Sequence, residues 1–193
     1  MHEPLPNSKN NMSEREVIEL TRDVNVVMIP DGNTATLEKG TTVTLHQSLG
    51  NNYTVVTDFG HMVRIASADA DALGKEPLEL HTLVTETSTE AVEKNCWEVM
   101  KTVYDPEIPV NIVDLGLVYN CTVTEIEPGK HHVQIQMTLT APGCGMGPVI
   151  QSDVEKSIRA LPGVEKVTVE IVLDPPWSRE MMSEVAQVQL GLF

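Results

Sequence analysis

Between Val133 and Leu161 the chain changes period. Val133–Leu139 alternates apolar and polar residues, as a strand with one buried face does, while Ile150, Val154, Ile158 and Leu161 recur at helical spacing. The stretch between them, Thr140-Ala141-Pro142-Gly143-Cys144-Gly145-Met146-Gly147-Pro148, consists of small residues, prolines, one methionine and one cysteine. Pro148 suits a first helical turn, where a missing N–H costs nothing. The spacing predicts that Cys144 stands where a strand ends and a helix begins. Free N–H groups and the positive end of the helix dipole favour an anion there. A thiol so placed has a lowered pKa, and its thiolate is the form that attacks electrophiles and binds metals. Gly143 and Gly145 let a ligand or partner approach the sulfur. The alternative is a structural cysteine beside a glycine-rich turn, but such cysteines sit inside apolar runs.

The formal charge is −15. Residues 1–85 carry 12 acids against 6 bases and residues 86–193 carry 16 against 7, so both parts are acidic, at −6 and −9. With no basic patch, nucleic acid and anionic membrane are poor partners. Cys96, Cys121 and Cys144 are too few and scattered for a disulfide framework, and no Cys-x-x-Cys occurs. That usage fits a reducing cytosol. No run approaches the roughly 18 apolar residues of a membrane span, and Met1–Asn11 lacks the apolar core of a signal peptide. A cytoplasmic protein is expected.

Two grammars divide the chain. From Thr21 to Ile65, short β-type runs are broken by Pro30-Asp31-Gly32-Asn33, Gly40 and Asp58-Phe59-Gly60. Five such runs suggest a small SH3-like barrel, an interaction module. Thr87-Ser88-Thr89-Glu90 then offers a helix cap, followed by Val92, Cys96, Val99, Met100 and Val103 at helical spacing. Strands are expected at Leu117–Val123, Val133–Leu139 and Val167–Leu173, and a last helix within Met181–Leu190. The predicted fold class is α+β: a small N-terminal SH3-like β-barrel, then an α-β-β-α-β two-layer domain. The expected boundaries are 1–15 as a flexible extension, 16–80 as the barrel-like domain, 81–88 as linker and 89–193 as the α/β domain.

Tyr104-Asp105-Pro106-Glu107-Ile108-Pro109-Val110-Asn111-Ile112-Val113-Asp114-Leu115-Gly116-Leu117-Val118-Tyr119 resembles the opening signature of the iron–sulfur cluster assembly domain shared by SufT, PaaD and the N-terminal part of Mrp-type carriers. Thr140–Gly147 resembles that domain's cysteine loop, and Asp174-Pro175-Pro176-Trp177 its closing motif. The three blocks keep the family's order. The additional first half, with Ile29-Pro30-Asp31-Gly32 and Gln47-Ser48-Leu49-Gly50, is similar to the SufT family in particular. The resemblance implies a non-catalytic factor in iron–sulfur protein maturation. Its partners would be assembly proteins and apo client proteins, and its cargo an iron–sulfur cluster or iron held transiently.

By their own chemistry Asp105 and Glu107 read either as a turn with solvated acids or as hard oxygen donors. Asp114 reads as an Asx-type turn or a donor, and Thr140 as a strand threonine or a hydroxyl donor. The resemblance tilts all four towards support of a Cys144 site, with Gly143 and Gly145. Cys96 and Cys121 fall on apolar faces and are predicted as core. His131 and His132 point to opposite sides of a strand, so they are predicted as surface residues and not a metal pair. Trp177 is predicted as a packing anchor. An iron–sulfur cluster takes about four protein ligands, mostly thiolates. One well-placed cysteine therefore implies a cluster shared with a client or a second copy in a homodimer. The alternatives are a structural adaptor for an oxygenase or cluster-assembly complex, and a cysteine-dependent enzyme.

Overall fold

The computed structural model describes residues 16–50, 52–77, 83–105, 107–141, 143 and 145–192. Cys144, Pro106 and Pro142 lie outside the described residues. In the first half, alternating β-branched residues form β1 (Val17–Glu19), β2 (Val24–Met28), β3 (Thr34–Leu37), β4 (Thr42–Leu49), β5 (Asn52–Thr57) and β6 (Met62–Ala66). They make an antiparallel sheet in the order β1-β4-β5-β6-β2-β3. Its apolar face gathers Val24, Val26, Val43, Tyr53, Val55, Val63 and Ile65, closed at one end by Leu20 and the 3-10 turn Ser67–Leu73. β1 and β3 are the two edges and do not pair with each other, so the closure of an SH3-like barrel is not made among the described residues. β1, too short to carry a clear alternation, was not among the five expected runs.

The second half runs α1 (Thr89–Met100), β7 (Val118–Glu127), β8 (Lys130–Met137), α2 (Gly147–Arg159), β9 (Val164–Ile171) and α3 (Glu184–Gln189). The whole chain is therefore mixed α+β. Ser88 caps α1, its hydroxyl accepting from the Ala91 N–H. The helix stops at Met100, and Val103, expected on it, lies in the following turn. The sheet order is β7-β8-β9, with β7/β8 an antiparallel hairpin and β8/β9 parallel across α2. Parallel neighbours need such a crossover, and the loop before α2 is where the chain leaves the sheet. Both long helices bury Val92, Cys96, Val99, Ile150, Val154 and Ile158 against Cys121, Val133, Ile135, Met137, Val167 and Val169. Among the described residues no helix is long and apolar enough to cross a membrane.

The strand register corrects the surface assignment of His131. It falls on the core face of β8, in step with Val133 and Ile135, and is fully buried. Burial is tolerated because the ring is bonded to the Gly163 carbonyl (3.1 Å) and the Thr89 hydroxyl (3.2 Å). His132 takes the other face and bonds Thr168.

Candidate functional site

The segment between α1 and β7 is held by its own side chains. Asp105 is 6% exposed, and its Oδ1 accepts from the N–H groups of Glu107 (2.9 Å) and Ile108 (3.0 Å). Burial pushes this carboxyl above its ordinary range, against the pull of those two bonds. Glu107 is exposed. In Asp105→Asn the amide oxygen still accepts from both N–H groups and the buried charge is gone. At neutral pH this variant should therefore equal or exceed the natural protein in stability, by at most about 1 kcal/mol. Asp105→Ala, which strands two N–H groups, should lose about 2 kcal/mol. Because the folded state holds this proton more tightly than the unfolded chain, the natural protein gains stability as pH falls towards the ordinary carboxylate value. The advantage of the asparagine shrinks over the same window. Denaturation of the three proteins at several pH values checks this; equal losses for both variants would mean that the charge itself holds the turn.

Asp114 knits the same segment to the C-terminus. Its Oδ2 accepts from Asn111 Nδ2 (2.6 Å), its Oδ1 from the Ser183 hydroxyl (3.0 Å), and its carbonyl from the Ser183 N–H (2.8 Å). Trp177 Nε1 donates to the Leu115 carbonyl (2.7 Å), and the Tyr119 hydroxyl to the Pro175 carbonyl (2.7 Å). The first and last sequence blocks are thus joined, with Trp177 packed on the core.

The cysteine loop is gripped from two sides. At its end α2 starts at Gly147 and Pro148, directly against the segment that leaves β8: a Cβ on Gly147 would lie 2.7 Å from Leu139 Cδ1. On the other side the loop meets the β2–β3 turn, since a Cβ on Gly145 would come within 2.9 Å of the Asp31 carbonyl oxygen. Met146 is fully buried, Thr140 half-buried, and Gly143 exposed with open space around it. Cys144, between these described glycines, lies outside the described residues. Among the described residues no hydrogen bond joins Asp105, Glu107 or Asp114 to the loop, and no group of three His, Cys, Asp or Glu stands close enough to hold a metal ion. The Asp105 and Asp114 carboxylates are committed to backbone and side-chain partners.

The other two thiols are in the core. Cys96 is fully buried, and its hydrogen bond with Cys121, then its burial, hold the thiol far above the ordinary range. A neutral, enclosed thiol is a poor nucleophile and a poor ligand.

The family model described as "Iron-sulfur cluster assembly protein" matches residues 93–171. A Bacillus subtilis protein named Fe-S protein maturation auxiliary factor YitW is 43% identical over 103 residues, which make up 53% of this chain and 97% of that protein. The chain belongs to the iron–sulfur cluster assembly protein family. A Fe-S protein maturation auxiliary factor of Porphyromonas gingivalis is 41% identical over 99 residues, 51% of this chain and 90% of that one. The crystal structure of a DUF59 domain from Bacillus anthracis is 40% identical, with a TM-score of 0.49, covering 54% of this chain and 96% of that chain.

Within this family member, sequence reasoning missed the ion pair between Arg64 on β6 and Asp153 on α2, at 2.5 Å with side chains only 8% and 23% exposed. The available signal was weak. Arg64 sits between Val63 and Ile65, so alternation assigns it to the face opposite the β-core, and an arginine there reads as solvated.

Proposed function

We propose that this protein is an auxiliary factor in iron–sulfur protein maturation, which holds an iron–sulfur cluster or iron transiently through Cys144 and passes it to apo client proteins. One observation carries the reading beyond the family. The chain's other thiols are buried in the core and the carboxylates of Asp105 and Asp114 are already bonded, so Cys144 is left as the thiol free to act as a soft donor. A single thiolate fills about a quarter of a cluster's coordination shell. Cargo held by so few donors must be completed by a second copy of Cys144 or by the client, and a shell completed by the client favours release to it. Asp105, Glu107, Asp114 and Thr140 support the segments around the loop, and Gly143 and Gly145 keep the approach to the thiol open. The role is that of a carrier and not of an enzyme.

The test is anaerobic reconstitution with iron and sulfide, followed by optical and Mössbauer spectra and by mass of the loaded species. The natural protein should carry less than one labile cluster per chain, in a dimer or a client complex. Cys144→Ser should load nothing while its melting temperature stays almost unchanged, because on this reading the thiol serves the cargo and the fold does not depend on it. A stable cluster in monomeric Cys144→Ser would overturn the reading.

A further inference from the structure

Among the described residues, the first half of the chain meets the second on or beside the segments described above. At the β2–β3 tip, a Cβ on Gly32 would lie 2.4 Å from the Gly145 carbonyl oxygen and 3.5 Å from Val149 Cγ2, and the carbonyls of Pro30 and Asp31 face Gly145 in return. At the β4–β5 tip, a Cβ on Gly50 would overlap the Thr102 carbonyl and lie 2.7 Å from Tyr104 Cδ2. Between the tips stands the Arg64–Asp153 ion pair. Val149 and Asp153 are one turn apart on a single face of α2, so the first half lies along that face from the loop onward. Val27 and Ile29 also pack on the second half's core. These are backbone-to-backbone contacts at glycines, backed by apolar packing and a buried charge pair, and they fix the tip against the loop.

We infer that the first half is a wall beside the cysteine loop, which screens one side of it from large partners and leaves small reactants unhindered. The family region, residues 93–171, contains neither tip. The Bacillus subtilis and Porphyromonas gingivalis relatives are matched over nearly their whole length by about half of this chain, so the wall is material added to the shared domain. A protein partner reaches the loop of this chain from the side of Gly143, where a Cβ would meet nothing within 4 Å. The wall thereby selects partners by shape. Access to the thiol is independent of what the thiol carries.

The test uses the full chain and two maleimides, N-ethylmaleimide and a maleimide on a polyethylene glycol chain of protein-like size, with labelling at Cys144 followed by peptide mass mapping. Arg64→Met removes the latch without adding bulk, and Gly32→Val drives side-chain atoms into the Gly145 carbonyl. Arg22→Met is the control, because Arg22 pairs with Asp69 and Asp71 inside the first half. The bulky reagent should react several-fold faster with Arg64→Met and Gly32→Val than with the natural protein. The small reagent should react equally with all, and Arg22→Met should behave as the natural protein. An unchanged bulky-to-small ratio in Arg64→Met, or an equal rise in Arg22→Met, overturns the wall. If Gly32→Val does not fold, Arg64→Met decides with Asp153→Asn beside it. Failure of cluster loading would leave these rates as they are, so the two readings fail separately.

Discussion

Gly116→Ala is expected to destabilise the second half by about 3 kcal/mol. Gly116 closes the turn that leads into β7 with φ +73°, a left-handed conformation that costs an L side chain about 1–2 kcal/mol. A Cβ there would also lie 2.2 Å from the carbonyl oxygen of Met181 and 2.7 Å from its carbonyl carbon. Backbone cannot rotate aside as a flexible side-chain end can, so one chain must shift, at a further 1–3 kcal/mol or so. The shift reaches Ser183, whose two bonds to Asp114 tie the C-terminal segment to the turn. Gly60→Ala separates the two contributions. Gly60 has φ +81° but nothing within 4 Å of its Cβ position, so its replacement should cost only the conformational part. Trp97 and Trp177, the two tryptophans of the chain, both report on the second half, and their fluorescence in denaturant gives the midpoint for Gly116→Ala. A loss no larger than that of Gly60→Ala, followed by circular dichroism, would remove the contact from the account.

Where neighbours in sequence decide the structure, the residues announced it. The change of period between Val133 and Ile150 is a real strand-to-helix passage, with Pro148 in the first turn of α2. Ser88 caps α1, and Pro30-Asp31-Gly32-Asn33 turns β2 into β3. The family blocks were legible as patterns, although their union through the Trp177–Leu115 bond joins residues 62 positions apart and has no local sign. What stayed hidden depends on which face another element covers. Arg64 reads as a solvated strand residue until α2 lies over it, and His131 reads as one of a surface pair until its register with Val133 is known. Barrel closure failed for a similar reason: strand count and turns are local, but the pairing of the edges β1 and β3 is not.

Arg64→Met is expected to lower stability at neutral pH by about 3 kcal/mol, and Arg64→Met/Asp153→Leu to recover most of that loss. Removing one member of a buried ion pair leaves the other charge without compensation, whereas an apolar pair of similar size has no such penalty. Arg64 is 7% exposed and faces Asp153, with Asp105, Gln47, Asn52, Thr54 and Tyr104 lining a small cavity beside it. Burial holds the Asp153 carboxyl above its ordinary range even with the Arg64 guanidinium in contact and Lys156 nearby pulling the other way. The folded protein therefore binds that proton more tightly than the unfolded chain does. Stability contributed through Asp153 rises as pH falls from the raised value to the ordinary one, and is lost as pH climbs back through that window. Without Arg64 the carboxyl is pushed higher still, so the penalty of Arg64→Met should shrink on acidification, beginning at a higher pH than any recovery in the natural protein. In Arg64→Met/Asp153→Leu the carboxyl at 153 is gone, so the part of the acid recovery that it supplies should disappear, leaving only what Asp105 contributes in all four proteins. Denaturant titrations of the four proteins of the cycle, repeated between neutral and mildly acidic pH, yield both the coupling and its pH dependence. A coupling near zero, or an Arg64→Met penalty that grows as pH falls, would mean that the two side chains are close without holding the halves together.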